Sequence, residues 1–180
     1  KKIQVWGRWC EEWCKAARRH MEIGDKALAE GHRLSAGTAY IRAALYYHWA
    51  TFLFVHDQKQ WRAGMEAMNE CWKKAAPLVE PPMELFEIPF EGTYLPGYLR
   101  KPTGVKTPPL VILVPGGDST KEELYDFGDH ILKRGVAVFA FDGPGQGLVS
   151  TRLKLRPDFE VPIRIVTDFI LKRGDLDGKR

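Results

Sequence analysis

The hydrophobic pattern changes its period at Pro81-Pro82. Before that pair, apolar residues recur at helical spacing; after it they alternate or run in short blocks bounded by turn residues. A chain built this way cannot close as one helical bundle or one β-sandwich. It must join a helical segment, residues 1–80, to an α/β segment, residues 81–180.

In the first segment Trp6, Cys10, Trp13, Cys14 and Ala17 mark one face of a helix. Gly31 ends that helix or its continuation. Ser35 is placed to cap a second helix reaching about Val55. Between Ala36 and Val55 the clearly polar side chains are Thr38, Arg42, His48 and Thr51, so this helix should be central and buried. A third helix is expected from about Lys59 to Leu78, with Trp61, Met65, Met68 and Trp72 on its apolar side. The aromatic residues of the second helix suit a core. Tyr47 and His48 also stand as candidate substrate-binding residues, a tyrosine and an imidazole offering polar tips beside apolar surface.

The second segment begins with a hairpin: Leu85, Ile88 and Phe90, a Glu91-Gly92-Thr93 turn, then Leu95 to Leu99. Leu110–Val114 reads as a strand covered on both faces. Ser119 to about Arg134 reads as a helix, with Ser119 as cap and Glu122 and Glu123 in a solvated first turn. Val136–Phe141 is a second buried strand. The loop from Asp142 to Pro157 leads to a helix from about Phe159 to Lys172. The fold class is α/β: a helical segment, a β-hairpin, then a parallel βαβα run.

Ligands of open α/β sheets bind beyond the carboxyl ends of the strands, and two glycine-rich turns sit there. Asp142-Gly-Pro-Gly-Gln-Gly147 lacks both the G-x-G-x-x-G spacing and a following Lys-Ser or Lys-Thr, which argues against a nucleotide site. It reads as a sharp structural turn with Asp142 accepting N–H bonds. Pro115-Gly-Gly-Asp118 offers bare N–H groups at a strand-to-helix turn. Such donors can stabilise an anion, including an oxyanion that forms in a transition state. The turn alone is equally compatible with a plain βα connection.

Hydrophobic residues make up 44% and charged residues 28% of the 180, as in a folded globular protein rather than a disordered one. The net charge of +4 is dispersed, with no basic block to bind nucleic acid. The longest apolar run, Ala43 to Val55, is too short to span a bilayer. Three cysteines without framework spacing point to reduced thiols in a cytoplasmic protein. Cys10 and Cys14 share a helix face but lack further ligands at metal-site spacing, so no metal or other cofactor is expected.

Together "VILVPGGDSTKEE", "RGVAVFAFDGPGQG" and "RPDFE", preceded by "LPGYLRKP", resemble the α/β-hydrolases related to 2,6-dihydroxypseudooxynicotine hydrolase. That group includes FrsA-like esterases and fungal polyketide-shortening hydrolases. The likeness extends to "YYHWATFLF" and "KAAPLVEPP" in the helical segment. It implies a serine hydrolase of small-molecule carbonyl substrates, cleaving an ester or a carbon–carbon bond beside a ketone through an acyl-enzyme. It implies that the helical segment serves as a cap and homodimer contact. It also implies that the first turn supplies part of the oxyanion hole, with Gly117 as first choice and Gly116 and Asp118 beside it.

The family pattern usually has an apolar residue where this chain has Gly117. No G-x-S-x-G elbow occurs in the chain, and Ser35, Ser119 and Ser150 lack its context. His20, His32, His48, His56 and His130 all precede the expected nucleophile. The expectation is that both ends are cuts in a longer protein and that the triad lies beyond Arg180. Two other readings remain open: a non-catalytic binding or scaffold member of the same fold, and a phosphate-binding α/β domain.

Overall fold

The computed structural model describes residues 3–178. The chain divides into two compact units, Lys1–Glu80 and Pro81–Arg180.

Among its described residues the first unit holds a short 3-10 helix, Trp6–Arg8, and three α-helices: α1 (Trp9–Ala29), α2 (Arg33–Thr51) and α3 (Gln58–Ala75). α2 packs against both of the others, which is why it carries apolar or small residues nearly all round. Its boundaries differ from the sequence expectation. It starts at Arg33, so Ser35 lies exposed inside the first turn and caps nothing. Gly31, at φ 82°, closes α1, and the backbone re-enters a helix two residues later. α2 stops at Thr51 because Leu53 takes a φ of 55°, which no right-handed helix continues. α3 is capped by Asp57, whose carboxylate accepts the N–H groups of Lys59 at 3.1 Å and Gln60 at 3.0 Å.

The second unit is a four-stranded sheet of order β1-β2-β4-β3, formed by β1 (Glu84–Phe90), β2 (Thr93–Arg100), β3 (Leu110–Leu113) and β4 (Ala137–Phe141). β1 and β2 are antiparallel, joined by Glu91-Gly92 at φ 44° and 76°. Two successive residues at positive φ suit the right-handed twist of a tight hairpin. β4 runs parallel to β3 and antiparallel to β2.

Between β3 and β4 lies α4 (Tyr125–Leu132), and α5 (Glu160–Leu171) follows β4. Ala137, Phe139 and Phe141 of β4 face the core shared with Val166 and Ile170 of α5. Val138 points to the other face, where Gly128 of α4 lies against it. Alternation along one strand therefore serves two helices. Arg100, buried at the end of β2 on the α4 side, pairs with Asp129 at 2.6 Å and lies 4.0 Å over the Tyr125 ring.

Two expectations for this unit need correction. α4 begins at Tyr125, six residues after Ser119, and Lys121–Leu124 is a series of turns. Ser119 donates to the Glu123 carboxylate and caps no helix. Local helix-start chemistry is overridden because the Lys121 N–H bonds instead to Asp142. β3 is half-buried rather than covered on both faces, with Val111 exposed, and it lies at the edge of the sheet in this chain.

Candidate functional site

β3 and β4 are parallel neighbours, so both glycine-rich turns emerge at the same end of the sheet. In the first turn Pro115 is buried while Gly116, Gly117 and Asp118 are exposed. The Ser119 N–H returns to the Gly116 carbonyl at 3.2 Å and closes the turn. A Cβ built on Gly117 would meet nothing nearer than Leu155 Cδ2 at 3.9 Å, so that side of the backbone is open to approach.

The second turn is more than a bend. Gly145 takes a φ of 84°, and a Cβ there would fall 2.7 Å from the Leu155 backbone, so only glycine fits. Beside it the Gln146 side chain, 2% exposed, crosses to the first turn. Its Nε2 donates to the carbonyls of Pro115 and, at 3.2 Å, Gly116. Its Oε1 accepts the Gly143 N–H at 2.7 Å. Gln146 is not marked in the sequence, since a single polar residue among glycines carries no periodic signal.

Behind the first turn lies a buried charged cluster. Lys121 is 5% exposed, Glu122 0% and Asp142 2%. Lys121 Nζ donates to Glu122 Oε1 at 2.5 Å and to Asp142 Oδ2 at 2.9 Å, while Asp142 Oδ1 accepts the Lys121 N–H at 2.7 Å. Glu122 Oε2 is buried without a hydrogen-bond partner among the described residues. The expectation that Glu122 sits in a solvated helical turn is therefore overturned; only Glu123 is exposed. With no helix at this point, the side chain points into the cluster. Asp142 accepts the N–H and the ammonium of Lys121, 21 residues away, where its position suggested an N–H of its own turn.

One ammonium between two carboxylates sets the protonation pattern. Burial works against the charged Lys121, but Asp142 and Glu122 outweigh it and hold its pKa above the usual lysine value. Burial pushes the Asp142 carboxyl up to about 6; Lys121 pulls it down and the Glu122 charge pushes it further up.

Tyr47 and His48 lie in the first unit on α2, and both are buried. The Tyr47 hydroxyl is pushed up to about 12, chiefly by burial. His48 lies against the Trp49 and Phe52 rings. Arg42 is exposed. Among the described residues no group of three or more His, Cys, Asp or Glu side chains could hold a metal ion. Among them, too, no helix is long and apolar enough to cross a membrane.

Comparison with known proteins gives this geometry a setting. A family model described as "Esterase FrsA-like" matches residues 5–167. A 2,6-dihydropseudooxynicotine hydrolase of Paenarthrobacter nicotinovorans is 36% identical over 164 residues, covering 91% of this chain and 44% of that protein. The α/β-hydrolase pydG of an Acremonium species is 39% identical over 170 residues, covering 90% of this chain and 40% of the relative. The crystal structure of the 2,6-dihydroxy-pseudo-oxynicotine hydrolase superposes with a TM-score of 0.85 at 32% identity, over 98% of this chain and 49% of that one. The chain thus spans less than half the length of these relatives. With the family model matching both units and the sheet reproduced at this similarity, the chain belongs to the FrsA-like esterase family and has the α/β-hydrolase fold.

Proposed function

We propose that the turn Pro115–Asp118 is half of an oxyanion hole in a serine-type hydrolase of carbonyl substrates, either carboxylic esters or ketones cleaved at an adjacent carbon–carbon bond. The observation that carries this reading is the exposed Gly117 at the carboxyl end of β3, where a built Cβ would meet nothing nearer than 3.9 Å. Gly117 is the first donor, and Gly116 and Asp118 shape the turn around it. In this reading a serine attacks the carbonyl carbon and the carbonyl oxygen becomes negative. The turn stabilises that charge until the leaving group departs and an acyl-enzyme remains. The serine, its histidine and its acid come from elsewhere in the full-length protein.

The test uses the full-length protein with p-nitrophenyl butyrate and a fluorophosphonate probe. Turnover is expected, with the label on a serine outside residues 1–180. Gly117→Pro, which removes the N–H, should lower kcat by about a hundredfold or more, while Gly117→Ala, which keeps it, should not. A label within residues 1–180, or a folded Gly117→Pro variant with wild-type kcat, would overturn the reading. Complete absence of labelling and turnover would favour a non-catalytic binding protein on the same fold.

A further inference from the structure

We infer that Gln146 is the positioning residue of the oxyanion turn: its side-chain amide grips the Pro115 and Gly116 carbonyls and thereby aims the Gly116 and Gly117 N–H groups outward. The inference rests on the oxyanion reading above and adds a residue to it.

The geometry follows from peptide planarity. In a trans peptide the C=O of one residue and the N–H of the next point in opposite directions. The Pro115 carbonyl is thus fixed opposite the Gly116 N–H, and the Gly116 carbonyl opposite the Gly117 N–H. Gln146 Nε2 donates to both carbonyls, and the Ser119 N–H adds a second bond to Gly116 O. With both carbonyls turned toward the buried amide, both N–H groups are turned away from it, toward the exposed side of the turn.

A primary amide has two donor hydrogens and one acceptor oxygen. Here both sides are engaged: two carbonyls on Nε2 and the Gly143 N–H on Oε1. The reversed amide would set oxygen against two carbonyls and NH2 against an N–H, so the partners dictate one orientation. The amide is anchored in turn by the turn that carries it, where Gly145 packs backbone to backbone on Leu155 and donates its N–H to Leu153 O at 2.9 Å.

Two glycines in succession give an approaching substrate room, but they also let the intervening peptide rotate at little cost. Oxyanion donors act through being held in place before charge develops. The glycines supply access and Gln146 supplies the fixed direction.

The requirement is specific in chemistry. Gln146→Leu keeps approximate size but loses both donors. Gln146→Glu presents a carboxylate to two carbonyl oxygens, and regains one donor only when protonated. In the full-length protein we expect both variants to lower kcat on p-nitrophenyl butyrate by about tenfold to a hundredfold, with KM within about twofold. An alkyl trifluoromethyl ketone, which forms a tetrahedral oxyanion adduct, should weaken in parallel, while the matching methyl ketone should not. The activity of Gln146→Glu relative to wild type should rise as pH falls, a response that a packing role would not produce.

Wild-type kcat in a folded Gln146→Leu or Gln146→Glu variant would overturn the inference. So would equal losses of kcat, methyl-ketone binding and thermal stability, which would indicate a structural role alone. Gly117→Pro separates the two levels. If it impairs kcat while the Gln146 variants do not, the positioning role fails and the oxyanion reading stands. If it leaves kcat unchanged, the oxyanion reading fails and this inference fails with it.

Discussion

Asp142 holds Lys121 at two points, its backbone N–H at 2.7 Å and its ammonium at 2.9 Å. The strand β4 is thus tied to the start of the α4 crossover through one carboxylate. Asp142→Ala leaves the Lys121 ammonium with Glu122 but strips its buried N–H of an acceptor, and should cost about 1–3 kcal/mol. Asp142→Asn keeps an acceptor for the Lys121 N–H and should cost less. Urea denaturation of the two variants orders them; equal losses would mean that the backbone bond contributes little.

The same cluster sets a pH dependence. The Asp142 carboxyl is raised from 3.8 to about 6, first by burial and then by Glu122 against the pull of Lys121. Between those values the folded state keeps a proton that the unfolded state has released. Stability from this group is therefore full below the unfolded pKa and is lost as pH rises through about 6. Glu122→Gln removes a like charge and should shift that loss to lower pH. Asp142→Asn should abolish it. Denaturation midpoints across this range measure both, and an unmoved profile in Glu122→Gln would separate Glu122 from Asp142.

Gly97 of β2 lies under the ring of Phe139. A Cβ there would stand 2.5 Å from Phe139 Cζ and 3.0 Å from the Ala140 carbonyl. Gly97→Ala should cost about 1–3 kcal/mol through overpacking. Gly174, with nothing within 4 Å of a built Cβ, is the control, and Gly174→Ala should stay within about 0.5 kcal/mol. Thermal melts of the pair test the contrast.

The three thiols should react unequally. Cys10 and Cys14 lie 3.9 Å apart at sulfur. The Cys14 pKa is lowered, first by its bond with Cys10 and then, against burial, by Arg18. Cys10 is raised by that same bond and by burial, and burial pushes Cys71 up to about 11. Brief iodoacetamide treatment at neutral pH should label Cys14 first, since the thiolate is the nucleophile. Peptide mass spectrometry reads the order, and faster labelling of Cys71 would contradict it.

What could be read in the sequence was what repeats or punctuates. The helical period from Cys10 to Ala17, the Glu91-Gly92 hairpin and the β3–α4–β4 order all appear in the fold, while Trp6 lies exposed before α1 begins. The two glycine turns were located. Side chains whose partners lie far along the chain were not legible. Lys121 and Asp142 are 21 residues apart, and Gln146 lies 31 and 30 residues from the carbonyls of Pro115 and Gly116. Ser119 and Glu122 carried the local signature of a helix start. The long-range bond to the Lys121 N–H prevailed over it, and helix and solvated turn were both misplaced for that one reason.

The second turn grips the first through main-chain atoms, the two carbonyls held by Gln146, while Asp142 holds the N–H of Lys121 just beyond it. Main-chain atoms are common to all residues, so the hold is blind to the identity of residue 117. The side chain there can be exchanged while its peptide stays in place, with open space out to 3.9 Å to receive it. Position 117 is accordingly a place where the side chain can be varied independently of the scaffold.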